Sequence, residues 1–200
     1  GQQPMQSEDG QTILVYNGEI YNYKEIRQIL IGRGHRFSSN SDTEVVLHAF
    51  LEWDTGCFEK LKGMFAIALW QVPEGRLILA RDRMGIKPLY FTIRRGEIYF
   101  GSEMKVLFAH PQIPRTIDLI ALDQYLSLNY VPGPRTLVEG IEKLPPGHYL
   151  EWSGGESRIL PYWGLEFLPV MDLKEADALR ELDQLMRRSI REHLISDVPL

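Results

Sequence analysis

The sequence predicts a layered domain of the α/β or α+β class. Short apolar runs rich in β-branched and aromatic residues, such as residues 64–70, are bounded by turn residues and indicate buried strands. Two stretches with helical apolar spacing, at about residues 23–31 and 42–52, lie between these strands. The 200 residues are 44 % hydrophobic and 24 % charged, which is ordinary for a globular chain with a real core.

The first strand is predicted at residues 13–16, and the dipeptide Asn17-Gly18 is expected to end it. Asn-Gly tolerates positive φ and commonly forms a tight turn. A second interpretation is functional, because an Asn side-chain amide beside a Gly N–H makes a pair of neutral donors suited to a developing oxyanion. Glu19 adds a carboxylate beside this pair. These residues alone leave both interpretations open.

Each of the two predicted helices begins with a capping-box pattern. Asn22 with Glu25 predicts the start of the first helix, and Ser41 with Glu44 predicts the start of the second. Asp42 then falls in the first turn, where the helix dipole favours a carboxylate. Asp42 is therefore either a helix-start residue or an anion placed to hold a substrate ammonium group.

Hairpins dominate the chain beyond residue 63. Strands at residues 64–70 and 76–80 are predicted to pair, as are strands at 89–93 and 97–101. The loop Arg81-Asp82-Arg83 joins the two hairpins, and we expect Asp82 to form an ion pair with Arg81 or Arg83 that fixes the loop structurally. The remaining predicted elements are a short helix near 102–108, a helix capped by Asp118, and strands from 148 to 152 and up to Pro161.

The composition changes after residue 163. Beyond Asp172, one apolar stripe follows helical spacing through Leu179, Leu182, Met186, Ile190 and Leu194, with charges on the other face. We assign residues 1–163 to a first domain, 164–171 to a linker and 172–200 to the first helix of a second domain whose body is absent. Both ends of the chain resemble cuts through a longer protein.

Several function classes are not supported by the composition. A net charge of −5 gives no electrostatic footprint for nucleic acid or an anionic membrane, and no apolar run approaches the ~20 residues of a membrane span. The single cysteine, Cys57, excludes an internal disulfide framework and suits a reducing, cytoplasmic compartment. Its apolar neighbours indicate a buried side chain rather than a nucleophile. The five histidines are scattered without the spacing of metal ligands.

Five motifs in series resemble the glutamine-dependent asparagine synthetases. No single motif is decisive, but their number and order are specific, and they extend along nearly the whole chain. They are Asn17-Gly18-Glu19-Ile20-Tyr21-Asn22, Ser41-Asp42-Thr43-Glu44, Gly63-Met64-Phe65-Ala66, the loop and strand start from Arg81-Asp82-Arg83 to Lys87-Pro88-Leu89-Tyr90, and Leu144-Pro145-Pro146-Gly147-His148. The opening Gln3-Pro4-Met5 is similar to a stretch inside the first domain of that family.

The resemblance implies a class II glutamine amidotransferase domain with the N-terminal-nucleophile hydrolase fold. That fold is an α+β, four-layer αββα sandwich of two antiparallel sheets. By motif match, Asn17 and Gly18 would form the oxyanion hole, whereas Glu19 and Asp42 would line the glutamine pocket. Asp42 would pair with the α-ammonium group of glutamine. The parent enzyme would hydrolyse glutamine and transfer the ammonia to an ATP-activated aspartate, giving asparagine, AMP and pyrophosphate.

The chain also departs from the family pattern. The nucleophilic N-terminal Cys and the Arg that clamps the glutamine carboxylate are missing, and Cys57 does not replace the nucleophile. The pyrophosphate loop is missing too, so ATP and Mg²⁺ would belong to the absent domain, and the piece alone is expected to be inactive and to hold no cofactor or metal. Two alternatives stay open: an amidotransferase with another carboxylate acceptor, and a non-catalytic interaction module. The oligomeric state, including a homodimer, is also open.

Overall fold

The computed structural model describes residues 2–167 and 173–194. The strands are β1 (Met5–Gln6), β2 (Thr12–Ile20), β3 (Gly63–Gln71), β4 (Arg76–Arg81), β5 (Tyr90–Arg94), β6 (Glu97–Gly101), β7 (Glu142–Lys143), β8 (His148–Ser153) and β9 (Glu156–Pro161). The helices are α1 (Tyr23–Gly32), α2 (Asp42–Trp53), α3 (Met104–Leu107), α4 (Leu119–Leu128) and α5 (Glu175–His193), with a 3-10 turn at Asp54–Cys57.

Two antiparallel sheets form the centre of the structure. The larger sheet has six strands in the order β1-β2-β3-β4-β8-β9, and the smaller has three in the order β6-β5-β7. Helices α1 and α2 pack on one face of the larger sheet through a core that includes Leu30, Phe50 and Phe65. The opposite face packs on the smaller sheet, with Leu79 and Phe91 between them. The expected α+β sandwich of two antiparallel sheets is therefore confirmed.

A single-turn helix forms the fourth layer. Leu107 of α3 packs with Ile113 and Ile141 against Tyr90 and Tyr99, which belong to the smaller sheet. The smaller sheet covers β3, β4 and β8. It leaves β2 uncovered on that face, since Val15 is 47 % exposed there.

Strand β2 is longer than the sequence predicted. Asn17 and Gly18 do not end it, because the strand continues to Ile20 and pairs with β3 throughout, with Gly18 opposite Phe65. Gly18 is extended and is not among the residues with positive φ. The turn interpretation of Asn-Gly is thus wrong, since a nine-residue ladder with β3 holds the dipeptide in the sheet.

The capping boxes form only in part. Asn22 precedes α1 but makes no capping bond; its side chain instead bridges the Lys60 carbonyl oxygen and the Lys62 N–H. Ser41 does cap α2, accepting from the Glu44 N–H at 3.3 Å. The Glu44 carboxylate binds the loop before the helix, accepting from the N–H and hydroxyl groups of Ser38 and Ser39 at 2.6–2.8 Å.

The loop after β4 is fixed without the ion pairs that the sequence predicted. Asp82 is fully buried and accepts four backbone N–H bonds of 2.9–3.1 Å, from Phe65, Met84, Ile86 and Lys87. The Arg81 guanidinium donates to three backbone carbonyl oxygens, and Arg83 donates to the Glu59 carbonyl oxygen. The charged side chains are neighbours in the sequence, but backbone N–H groups bind the carboxylate and backbone carbonyl oxygens bind the two guanidinium groups. The ion pair expected from charge alone is therefore wrong.

Helix α5 forms where the apolar stripe predicted a helix, and it has no buried residue in the part of it that the structure describes. The linker assigned to residues 164–171 and the ending Asp197-Val198-Pro199-Leu200 lie partly or wholly outside the described residues. None of the helices within residues 2–167 and 173–194 is both long and apolar enough to cross a membrane.

Candidate active site

The open edge of β2 presents a backbone N–H at Gly18. In an antiparallel ladder the residues alternate between bonding to one neighbour and to the other. Tyr21 donates to Lys62 and Val72 donates to Gln11, which sets the odd-numbered residues of β2 toward β3. The even-numbered residues therefore direct their N–H and C=O groups to the other edge. Among the described residues, no hydrogen bond uses the Gly18 N–H on that edge.

The neighbours of Gly18 along the same edge are all bound. Leu14 pairs with Met5 of β1. Two residues on, the Gln3 side-chain amide replaces a strand, accepting from the Tyr16 N–H at 2.8 Å and donating to the Tyr16 carbonyl oxygen at 2.7 Å. Beyond Gly18, the Ile20 N–H donates to Asp42 Oδ2 at 3.0 Å. The two hydrogen bonds of the Gln3 amide to Tyr16 form a clamp on the strand. The Gly18 N–H thus lies between this Gln3 clamp and the Asp42 carboxylate.

Glycine at position 18 is required by close packing against β3. A Cβ atom there would lie 2.1 Å from the Met64 carbonyl oxygen and 2.7 Å from the Phe65 Cα. Real side chains do not tolerate such distances to backbone atoms, so the residue without a Cβ allows the strands to approach. Glycine at this position therefore allows β2 and β3 to pair closely beside the outward-facing N–H.

Asp42 is brought to this edge by the start of α2. Its Oδ2 accepts from both the Ile20 N–H and the Tyr16 hydroxyl, the latter at 2.6 Å. Within residues 2–167 and 173–194, the other oxygen, Oδ1, has only a long 3.5 Å contact with the Thr43 hydroxyl. One side of the carboxylate is consequently held by the protein, and the other retains capacity to accept.

Asn17 and Glu19, the other two expected site residues, share the face of β2 that points away from helices α1 and α2. Strand alternation places Asn17 and Glu19 on one face, the face on which Val15 is exposed. Asn17 is exposed and its Nδ2 donates to the Ser102 hydroxyl at 3.1 Å, just after β6. Glu19 is half-buried, and its charge adds to burial in raising the pKa of Tyr21. The structure thus joins all four residues to one stretch of β2, with Asp42 at the strand edge and Asn17 and Glu19 on its uncovered face.

Cys57 is not available as a nucleophile. It lies in the 3-10 turn, is fully buried, and burial raises the pKa of its thiol well above the usual range. The thiolate that nucleophilic attack requires is therefore suppressed. Within the described ranges, no group of three or more His, Cys, Asp or Glu side chains is arranged to hold a metal.

A cavity of about 690 Å³ lies elsewhere, between β1 and α2. Glu44 and His48 line it together with Glu8 and Arg36, but Asn17, Gly18, Glu19 and Asp42 do not. The Glu44 carboxylate already accepts four hydrogen bonds from the adjacent loop. The hydrogen-bonding capacity of Glu44 is thus already used within the protein, whereas the edge of β2 holds the expected site residues outside this cavity.

Two residues of the site were not selected from the sequence. Tyr16 was interpreted only as part of an apolar strand, and Gln3 only as part of a resemblance. A signal existed for Tyr16, because a tyrosine on the buried face of a strand needs a partner for its hydroxyl. The clamp by Gln3 depends on how the chain approaches β2, which no local pattern specifies.

The Gly18 N–H can donate and Asp42 Oδ1 can accept on the same edge of β2. Together they suit a small ligand that carries one acceptor and one cationic group. A carbonyl oxygen that gains negative charge would accept from the Gly18 N–H, as in an oxyanion hole. A cationic group would pair with Asp42. An amino acid with a side-chain amide carries both groups.

Comparisons with known proteins agree with this chemistry. A family model described as a glutamine amidotransferase domain matches residues 1–163. The chain is 37 % identical to glutamine-hydrolyzing asparagine synthetase 3 of Bacillus subtilis, with 100 % of this chain and 33 % of that protein covered. For asparagine synthetase 1 of the same organism the identity is 38 %, with 100 % and 32 % covered. The chain thus spans about a third of the length of these relatives.

A solved amidotransferase structure has a similar fold. The glutamine phosphoribosylpyrophosphate amidotransferase from B. subtilis superposes with a TM-score of 0.56 over 80 % of this chain and 32 % of that one, at 18 % identity. At this identity the likeness concerns the fold. Together with the family model, which covers most of the sequence, it gives a single assignment. The chain belongs to the glutamine amidotransferase family, as its series of motifs predicted.

Proposed function

We propose that this chain is the glutamine-binding part of a glutamine-hydrolysing asparagine synthetase. The observation that carries the proposal is the Gly18 N–H on the open edge of β2. It has no partner among the described residues and lies two residues from the Ile20 N–H, which donates to Asp42. A strand rises about 3.3 Å per residue, so these two N–H groups lie roughly 7 Å apart. Glutamine in an extended form spans roughly 6 Å from its amide oxygen to its α-nitrogen, by summing ordinary bond lengths. One edge can therefore serve both ends of the substrate.

In the proposed reaction, the Gly18 N–H and the Asn17 side-chain amide stabilise the oxyanion that forms when the glutamine amide is attacked. Asp42 holds the α-ammonium group through Oδ1, and Glu19 lines the pocket. The nucleophile is a cysteine from outside the described residues, because Cys57 is buried. Its attack gives a thioester and ammonia, and water then releases glutamate.

The ammonia is passed to a carboxylate acceptor activated by ATP, with Mg²⁺, in a part of the enzyme beyond this chain. We propose aspartate as the acceptor, on the strength of the two relatives named above. The single cysteine supports a cytoplasmic location.

The experiment is Asp42→Asn in the full-length protein. Asparagine keeps the size and can still accept from Ile20, but it loses the charge that pairs with an ammonium group. We expect the KM for glutamine to rise roughly 10- to 100-fold, consistent with loss of a charge-assisted bond. Asparagine synthesis from free ammonia should be unchanged, because that donor bypasses the pocket.

Equal loss with glutamine and with ammonia would make Asp42 a purely structural residue. A wild-type protein that releases no glutamate from glutamine would favour the non-catalytic module. Replacing aspartate by other carboxylates in the ammonia-driven assay identifies the acceptor, and AMP release reports its activation.

A further inference from the structure

We propose that Tyr16 is a positioning residue for glutamine, whose hydroxyl orients the Asp42 carboxylate toward the substrate ammonium group. The proposal rests on the function proposed above, and it adds a determinant of amide-donor affinity outside the four motif residues. Tyr16 itself does not touch glutamine in this arrangement; it acts through Asp42.

The two oxygens of Asp42 are made unequal by their donors. The Tyr16 hydroxyl at 2.6 Å and the Ile20 N–H at 3.0 Å both donate to Oδ2. From the part of the chain that the structure describes, Oδ1 receives only the 3.5 Å contact from Thr43. With two donors on one oxygen, rotation of the carboxylate is restricted, and Oδ1 is left as the acceptor for a cation.

Tyr16 is itself held at several points. Its side chain is 6 % exposed and packs in the core between the larger sheet and the first two helices. Its N–H and carbonyl oxygen are both bound by the Gln3 amide. Burial and the nearby Asp42 carboxylate raise the pKa of the Tyr16 phenol well above its usual range, so the hydroxyl remains a donor. A donor fixed in this way can fix its acceptor.

Removing the hydroxyl should therefore weaken binding of the ammonium group without altering the chemical step. In the full-length protein with Tyr16→Phe, the ring and its packing are retained. We expect the KM for glutamine to rise roughly tenfold, the usual scale for a hydrogen bond to a charged group, and kcat at saturating glutamine to change less than about twofold. Synthesis from ammonia should be unaffected.

A glutamine analogue without the α-amino group, 4-carbamoylbutanoate, separates positioning from structure. This analogue has no ammonium group for Asp42, so its kcat/KM should be the same in the wild type and in Tyr16→Phe. Tyr162→Phe is the matched control. Its side chain is half-buried against the same core, and its hydroxyl also donates at 2.7 Å, but to the Arg81 carbonyl oxygen, so the KM for glutamine should not change.

Three results would overturn the inference: a similar loss for glutamine and for the analogue, an equal effect of Tyr162→Phe, or no effect of Tyr16→Phe where Asp42→Asn has one. If Asp42→Asn leaves the KM for glutamine unchanged, the proposed function of the pocket fails instead. Should Tyr16→Phe not fold, Gln3→Ala tests the same point from the exposed end of the clamp, and it should raise the KM for glutamine but leave the analogue unaffected.

Discussion

Two regions of this protein direct backbone N–H groups at a negative charge, and they differ in where the charge comes from. In the loop after β4, four N–H groups converge on the carboxylate of Asp82, which is fully buried. On the open edge of β2, the Gly18 N–H has no partner among the described residues. The first site is filled by the chain itself, whereas the second is the one that we propose to bind glutamine.

The two sites are connected through the paired strands β2 and β3. Phe65 of β3 lies opposite Gly18 and donates its own N–H to Asp82 on its other side. Asp82 therefore anchors β3, the strand that pairs with β2 along the candidate site. A carboxylate whose acceptor capacity is filled by the chain stabilises the fold, whereas a polar group without a protein partner is tolerated only where solvent or a ligand can reach it.

Asp82→Ala should have the largest effect on stability. It removes the acceptor of four N–H groups, those of Phe65, Met84, Ile86 and Lys87. At about 1 kcal/mol for each lost hydrogen bond, we expect a loss of about 4 kcal/mol. Urea unfolding followed by tryptophan fluorescence measures it. Arg83→Ala in the same loop is the control, and it should cost less than about 1.5 kcal/mol, because Arg83 makes one hydrogen bond, to the Glu59 carbonyl oxygen. Equal losses of unfolding free energy in the two variants would mean that the four N–H groups bound to Asp82 do not stabilise the fold more than one surface hydrogen bond does.

Gly18→Ala should have the next largest effect and should also abolish glutamine hydrolysis. A methyl group 2.1 Å from the Met64 carbonyl oxygen forces β2 and β3 apart, at a cost of roughly 2–4 kcal/mol. Gly32→Ala is the matched control, since nothing lies within 4 Å of a Cβ there and the position is helical; it should be neutral or stabilising by up to about 1 kcal/mol. Normal hydrolysis by Gly18→Ala would refute the role of this edge.

Glu44→Gln should have the smallest effect of the three and a clear pH dependence. Burial acts to raise the pKa of Glu44, but hydrogen bonds from Ser39 and Ser38 outweigh it and hold the pKa at about 2, against an ordinary value of 4.5. The lowered pKa stabilises the folded state above pH 4.5, and this contribution is lost as the pH falls from 4.5 toward 2.

Unfolding of the wild type and of Glu44→Gln, measured across this range, should therefore converge in acid. A difference that stays constant with pH would mean that Glu44 acts by packing alone. Glu44 lies only two residues after Asp42 but differs from it, because both Glu44 carboxylate oxygens already accept hydrogen bonds from Ser38 and Ser39. Glutamine hydrolysis by Glu44→Gln near neutral pH should be close to that of the wild type.

The sequence determined most of the elements and the identity of the site residues. Local rules placed α1 and α2 correctly, because apolar spacing and the Ser41 cap act within one turn. The hairpins β3–β4 and β5–β6 followed from alternating patterns and turn residues for the same reason. The motif series indicated the family and selected Asn17, Gly18, Glu19 and Asp42.

What those residues face depends on contacts between segments that are distant in the sequence. Asn17-Gly18 has the local preferences of a turn, yet pairing with β3 over nine residues holds it in a strand. Asp82 was assigned to an ion pair because charge is visible in a sequence, whereas the peptide N–H groups that bind it are assembled from two separate segments. The contact of Tyr16 with Asp42 joins residues 26 positions apart. Hydrogen bonds between distant segments depend on how the chain is packed, and local propensity carries no information about them.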